Sequence, residues 1–171
     1  MYGKNRTLTH GLLVALNQHP KIKQLVKVKP SINEIARFLD SQGPFDWAVT
    51  MNLKKRHPHY QTYITPQLFE QSGRHYLSLV NKGLFKRQYR YGRAKLNGIF
   101  CMEIGGTEKR PHLHFAIGSK DQLNKDDLLR ELNKAYRKMD WVKGDIHIAP
   151  YQDAGWLNYL LKTGFDSVVL H

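Results

Sequence analysis

The chain has 171 residues, enough for one domain with a core of its own. Its 27 Lys and Arg against 14 Asp and Glu leave a formal net charge of +13 and a pI near 9.9, which makes a polyanion the first partner to consider. The single cysteine, Cys101, excludes an internal disulfide, and no run approaches the ~20 apolar residues of a membrane span. The opening MYGKNRTLTHGLLVAL has no long apolar stretch and no small-residue cleavage site, so the expectation is a soluble, cytoplasmic protein with no membrane partner.

In chain order, helices are expected near residues 9–18 and 31–42. The second opens on Ser31 with Glu34 three residues later, a capping-box spacing. WAVTMNL at 47–53 reads as a strand from its length and its β-branched and aromatic residues, and the basic, proline-containing KKRHPHY at 54–60 reads as a loop. Thr65-Pro66 starts a helix expected to end before Gly83. KRQYRYGRAK at 86–95 interleaves cations with rings in a basic loop. Two strands at 96–104 and 111–117 flank the short turn GGTEKR and form an antiparallel hairpin. A helix over 123–139 carries Leu128, Leu129, Leu132 and Tyr136 on one side. A strand at 144–150 and a helix at 154–162 complete the order. That order predicts an α+β fold, a ferredoxin-like split β-α-β with a central antiparallel sheet and extra N-terminal helices.

The chemistry concentrates in RPHLHFAIG at 110–118. In an extended chain His112, His114 and Ala116 share one face, while Leu113, Phe115 and Ile117 share the other. Glu103 lies nine residues before His112, so pairing across the hairpin brings a carboxylate toward two imidazoles. Two imidazoles and a carboxylate with open positions suit a divalent ion that also binds substrate; the oxygen ligand favours Mg²⁺ or Mn²⁺, and zinc also accepts such ligands. Glu108, in the turn, is a weaker ligand candidate, and His147 is a possible third imidazole. In the last helix Trp156, Tyr159 and Lys162 are three apart, and a tyrosine and a lysine so spaced can approach one phosphate.

The ordered set WAVTMNL, then EIGGTEKRPHLHFAI, then YLLK resembles the three motifs of HUH-type nicking enzymes, specifically the single-tyrosine rolling-circle replication initiators. The resemblance covers about residues 45–164. It implies an HUH endonuclease domain over 45–171, with residues 1–44 as a helical extension of the same domain. It further implies a Mg²⁺ or Mn²⁺ ion on Glu103, His112 and His114, Tyr159 as the nucleophile that becomes joined to a 5′ phosphate, and Lys162 as the cation beside that phosphate. Thr50 aligns with the first motif. With Thr50, the residues expected to hold single-stranded DNA, including a hairpin origin, are Lys54, Lys55, Arg56, Arg87, Arg90, Arg93, Lys109 and Arg110. The chain has no phosphate-loop motif, so a host helicase and a polymerase would be its partners.

Neighbouring families fit less well. A histidine-triad hydrolase needs a third histidine where Ala116 stands, and conjugative relaxases use three histidines and a tyrosine near the N-terminus, for which Tyr2 is a minor candidate. Tyrosine transposases of the HUH class typically carry glutamine where Lys162 stands. The alternative from another class is a noncatalytic single-stranded nucleic-acid-binding module.

Overall fold

Trp47–Leu53 (β1) alternates between a buried apolar set, Val49, Met51 and Leu53, and a second set, Ala48, Thr50 and Asn52, on the opposite face. Its neighbours follow the same alternation. A computed structural model describes residues 31–104, 110–121, 123–163 and 167–171. The expected helix at 9–18, Tyr2, Glu108 and Lys109 lie outside the described residues. Ile32–Asp40 (α1) precedes β1 and Pro66–Phe85 (α2) follows it. Then come the single turn Arg87–Arg90 (α3), Asn97–Ile104 (β2), Pro111–Gly118 (β3), Lys125–Tyr136 (α4), Val142–Pro150 (β4), Ala154–Leu160 (α5), a 3₁₀ turn at Leu161–Thr163 and Val168–Leu170 (β5).

The five strands form one antiparallel sheet in the order β4-β1-β3-β2-β5, so β3 lies between β1 and β2. The α+β class and the antiparallel sheet expected from the element order are both present. Val49, Met51, Leu53, Phe100, Leu113, Phe115 and Ile117 pack with α2 and α4 in the larger core. On the other face Ile99, Cys101, Ala116 and Val168 pack with Ile35, Ala36 and Leu39 of α1 and with Leu157 and Leu160 of α5. Around His114 that face is therefore covered by helices, while His112 stays partly exposed and His147 exposed. The second half of the expected N-terminal extension is a structural layer: Ser31 and Glu34 make the predicted capping box, and Tyr151 Oη donates to Asp40 Oδ1 at 2.6 Å.

Several boundaries, and one strand, differ from expectation. The helix expected to stop before Gly83 continues to Phe85, because Gly83 lies against Glu131 of α4 and a side chain there would collide with that carboxylate. Lys86, at φ 49°, supplies the positive-φ residue at the helix end. The last helix ends at Leu160, which puts Lys162 in the 3₁₀ turn. β5, only three residues long, was not expected.

Gly118 closes β3 where a Cβ would meet the backbone of Pro44, Phe45 and Asp46, none of which can rotate away. Gly118→Ala is expected to lower the unfolding free energy by ~1–3 kcal/mol, read as a shifted midpoint in urea.

Candidate active site

One row of residues crosses the sheet through cross-strand partners: His147 of β4, Thr50 of β1, His114 of β3, Cys101 of β2 and Val168 of β5. The adjacent row aligns Asn52, His112 and Glu103. In an antiparallel sheet, partners point to the same face, so the alternation in PHLHF and the register together bring Glu103, His112, His114 and Thr50 side by side. The row on the other side is Ala149, Ala48, Ala116 and Ile99, whose small members admit α5 close to the sheet. Trp156 of α5 anchors there, its Nε1 donating to the Phe115 carbonyl at 2.9 Å.

His114 is 4% exposed and both its ring nitrogens are engaged. Nε2 lies 3.0 Å from Glu103 Oε2, and Nδ1 lies 2.9 Å from Thr50 Oγ1. A carboxylate only accepts, so Nε2 carries the proton and the Thr50 hydroxyl donates to Nδ1 in this arrangement. Burial pushes the His114 pKa below the ordinary imidazole value, and the nearby His112 and Lys162 act in the same direction against the opposing pull of Glu103. For Glu103, burial raises the pKa, but the Lys162 ammonium and then His114 outweigh it and hold the carboxyl below its usual range. Lys162 Nζ sits 3.0 Å from Glu103 Oε1 and 3.6 Å from the centroid of the Tyr159 ring. Partial burial disfavours its charge, yet the Tyr159 hydroxyl and the Glu103 carboxylate raise its pKa above that of a free lysine, so it remains an ammonium at neutral pH. Tyr159 stacks on Trp156 with centroids 5.2 Å apart, stands edge-on to the His114 ring at 5.3 Å and is 39% exposed. Beside it opens a cleft of about 440 Å³ lined by His147, Gln152, Trp156 and Tyr159.

Among the described residues no three His, Cys, Asp or Glu side chains already converge as a metal cage. Glu103 and His114 are in direct contact, while His112 is partly exposed, opposite Glu103 in register and 6.0 Å ring to ring from His114. These donors still fit a divalent ion. One imidazole nitrogen and one carboxylate oxygen are 3.0 Å apart, close to the ligand-to-ligand spacing of about 3 Å that octahedral Mg²⁺ ligation at 2.0–2.1 Å requires, and a cation already neutralises the other carboxylate oxygen. Cys101, opposite His114 in register, is buried, which pushes its thiol up to about 12 and keeps it protonated at neutral pH in the metal-free protein.

The remaining sequence candidates separate into two places. Lys54, Lys55, Arg56 and Arg110 line one basic groove together with Lys143, a contributor not identified from sequence. It lies at the sheet end that holds His112 and Glu103. Arg87, Arg90 and Arg93 precede β2 and are carried to the opposite end, since Asn97 pairs with Gly118 and Ile104 with Pro111, ~20 Å apart along the strand. Thr50, expected to contact DNA, is turned to His114. His57, in the stretch expected to be a loop, is buried at 5% exposure. The described helices include none long and apolar enough to cross a membrane. No family model matches the chain, and neither a curated protein nor a solved structure does.

The two shifted groups make acid stability a test of this geometry. Folded His114 resists protonation, so below about pH 6.5 the unfolded chain binds a proton that the fold does not, and stability falls as pH falls. Glu103 extends the loss below about pH 4.5 with the same sign. In chelator, urea midpoints should drop between about pH 7 and about pH 5 through His114 and further below about pH 4.5 through Glu103, each group contributing at most ~1.4 kcal/mol per pH unit. His114→Asn should flatten the upper part of that fall; an unchanged slope would mean that His114 titrates as a free imidazole.

Proposed function

We propose that the protein is a metal-dependent single-stranded DNA nickase and strand transferase of the HUH type, working through a 5′-phosphotyrosine intermediate in replication initiation of a mobile element. Its α+β sheet would then be the ferredoxin-like HUH scaffold. The observation that carries the reading is the contact chain Thr50–His114–Glu103–Lys162–Tyr159, which joins a histidine–carboxylate pair to a tyrosine through one ammonium.

Glu103, His112 and His114 would hold Mg²⁺ or Mn²⁺, and the ion supplies Lewis-acid polarisation of the scissile phosphate. His114 Nε2 must lose its proton to become a ligand, and the tautomer then carries hydrogen on Nδ1. Thr50 Oγ1, a donor in the present arrangement, can accept from that Nδ1–H, so one hydroxyl supports both tautomers. The role of Thr50 in this reading is to orient an imidazole. Tyr159 Oη attacks phosphorus as the bond from phosphorus to the 3′ oxygen breaks. The phenol proton passes to solvent and the leaving 3′ oxygen takes one up. Trp156 fixes the tyrosine ring from one side, and Lys162, fully protonated, neutralises the phosphate rather than acting as a base. Reversal by a 3′ hydroxyl rejoins ends, because the ester to tyrosine conserves the phosphodiester bond energy. A transposase of the same class uses the same step, but Lys162 in place of glutamine favours the initiator.

The test is a denaturation-resistant adduct between the purified protein and a labelled pool of single-stranded oligonucleotides, including hairpins, in Mn²⁺. An adduct lost on chelation supports the reading. A protein that binds the pool with strong salt dependence and forms no adduct is the noncatalytic binder, which the basic groove favours.

A further inference from the structure

The loop joining β1 to α2 is tightly built. Lys54 N donates to the Trp141 carbonyl at 2.7 Å, Ile64 N to Lys55 O at 2.9 Å and His57 N to Thr62 O at 2.8 Å, and Arg56 pairs with Tyr63 in an isolated antiparallel bridge. The buried His57 is its centre. Its Nδ1 accepts from the amides of His59 at 3.1 Å and Tyr60 at 3.2 Å, and its ring meets Trp141 edge-on at 4.8 Å. Gln61, at φ 56°, completes the reversal. A loop with this many internal bonds has little freedom to fold its side chains inward, yet Tyr60 is 79% exposed and Tyr63 68%. The loop that carries the two rings also supplies Lys54, Lys55 and Arg56 to a groove of about 660 Å³, which Arg110 and Lys143 complete; among the described residues lining it none is acidic. Arg56 lies over the Tyr63 ring, 5.6 Å from its centroid.

We propose that this loop is a stacking platform for single-stranded DNA, in which Tyr60 and Tyr63 take unpaired bases while the groove cations hold the backbone leaving the cleavage site. The choice of DNA over other polyanions rests on the proposed nicking function. Preference for a single strand rests on the rings: every unpaired base offers a π-face, a duplex hides it, and phosphate alone has no use for an exposed tyrosine. The groove begins where the site ends, since Lys54 follows β1 two residues beyond Asn52, the register partner of His112, and Arg110 precedes β3 two residues before His112. A strand with its scissile phosphate at Tyr159 therefore has a basic path at hand, and the platform, having no pattern of base-edge donors, reads no sequence.

The experiment measures binding of the full chain, in chelator so that nothing is cut, to labelled oligo(dT), to a strand of equal length with abasic sites, and to a duplex. Tyr63→Ala should weaken oligo(dT) binding by about 5- to 150-fold and abasic binding by less than about twofold, while Tyr63→Phe stays within about twofold of the parent. Tyr60→Ala should behave alike; Tyr60 touches His57 at 4.7 Å, so Tyr60→Phe and the Tyr63 variants keep the test independent of loop integrity. Replacing Lys55 and Lys143 by alanine should lower the salt slope by about 1.4 for both single strands. Equal losses on oligo(dT) and abasic strands, or a duplex bound as tightly and with the same dependence on Tyr63, would overturn the platform. An adduct with Tyr63 irrelevant to binding leaves the nickase standing and removes the platform. Ring-dependent binding of oligo(dT) with no adduct from any pool removes the nickase and leaves the platform.

Discussion

Tyr159→Phe should abolish the covalent protein–DNA adduct while changing affinity for single-stranded DNA by less than about threefold. The variant removes one oxygen and nothing that holds the helix: the ring, its 5.2 Å stack on Trp156 and its edge contact with His114 all remain. With the nucleophile gone no bond to phosphorus can form, so the loss is complete rather than graded. On the proposed platform, binding would be carried by the groove cations and the exposed loop rings, and Tyr159 does not line that groove. The adduct is read on a denaturing gel and the affinity by anisotropy in chelator. A residual adduct would direct attention to another tyrosine, and a collapse of affinity would assign Tyr159 to substrate binding instead.

The site was legible in the sequence where strand alternation carries the information. His112 and His114 fall on one face because side chains in a strand repeat every two residues, and the short hairpin fixed Glu103 opposite His112. What alternation does not reveal is which helix covers that face. Nothing in PHLHF indicates that α5 covers His114, and Ala48 and Ala116 become a seat for Trp156 only once β1 and β3 are paired. The three-residue spacing brings Lys162 near Tyr159 on a helix; in the fold a 3₁₀ turn carries its ammonium over the ring instead. β5 escaped because three residues are too few to show a period. Basic residues were the least legible. Lys54 and Arg110 belong together across the sheet, while the denser cluster Arg87, Arg90 and Arg93 is carried away by the length of β2. His57 was hidden for a related reason: its neighbours KKR and Pro58 are polar or loop-forming, and its burial depends on Trp141, more than 80 residues on.

Glu103→Gln and Lys162→Met should move metal affinity in opposite directions while both slow adduct formation. Lys162 occupies one oxygen of Glu103 at 3.0 Å, so in the metal-free protein an ammonium stands beside the carboxylate that an ion would use. Methionine keeps the aliphatic stem and removes the charge, freeing that oxygen and removing a like charge from the site; Mn²⁺ should bind about tenfold tighter by calorimetry, each factor of ten being ~1.4 kcal/mol. Adduct formation should nonetheless fall about 100-fold, because the cation that neutralises the phosphate in the transition state is gone. Glutamine at 103 keeps an oxygen that can still accept from His114 but lacks the negative charge, so both Mn²⁺ affinity and adduct rate should fall by about 100-fold or more, beyond the 10- to 100-fold typical of losing an outer partner such as Thr50 in Thr50→Val. The opposite signs are the diagnostic feature. Were Lys162→Met to leave Mn²⁺ affinity unchanged, the ammonium and the ion would not share Glu103, and the role of Lys162 would reduce to its contact with the Tyr159 ring. A loss of Mn²⁺ affinity in both variants would mean that the lysine orders Glu103 for the metal instead of competing with it.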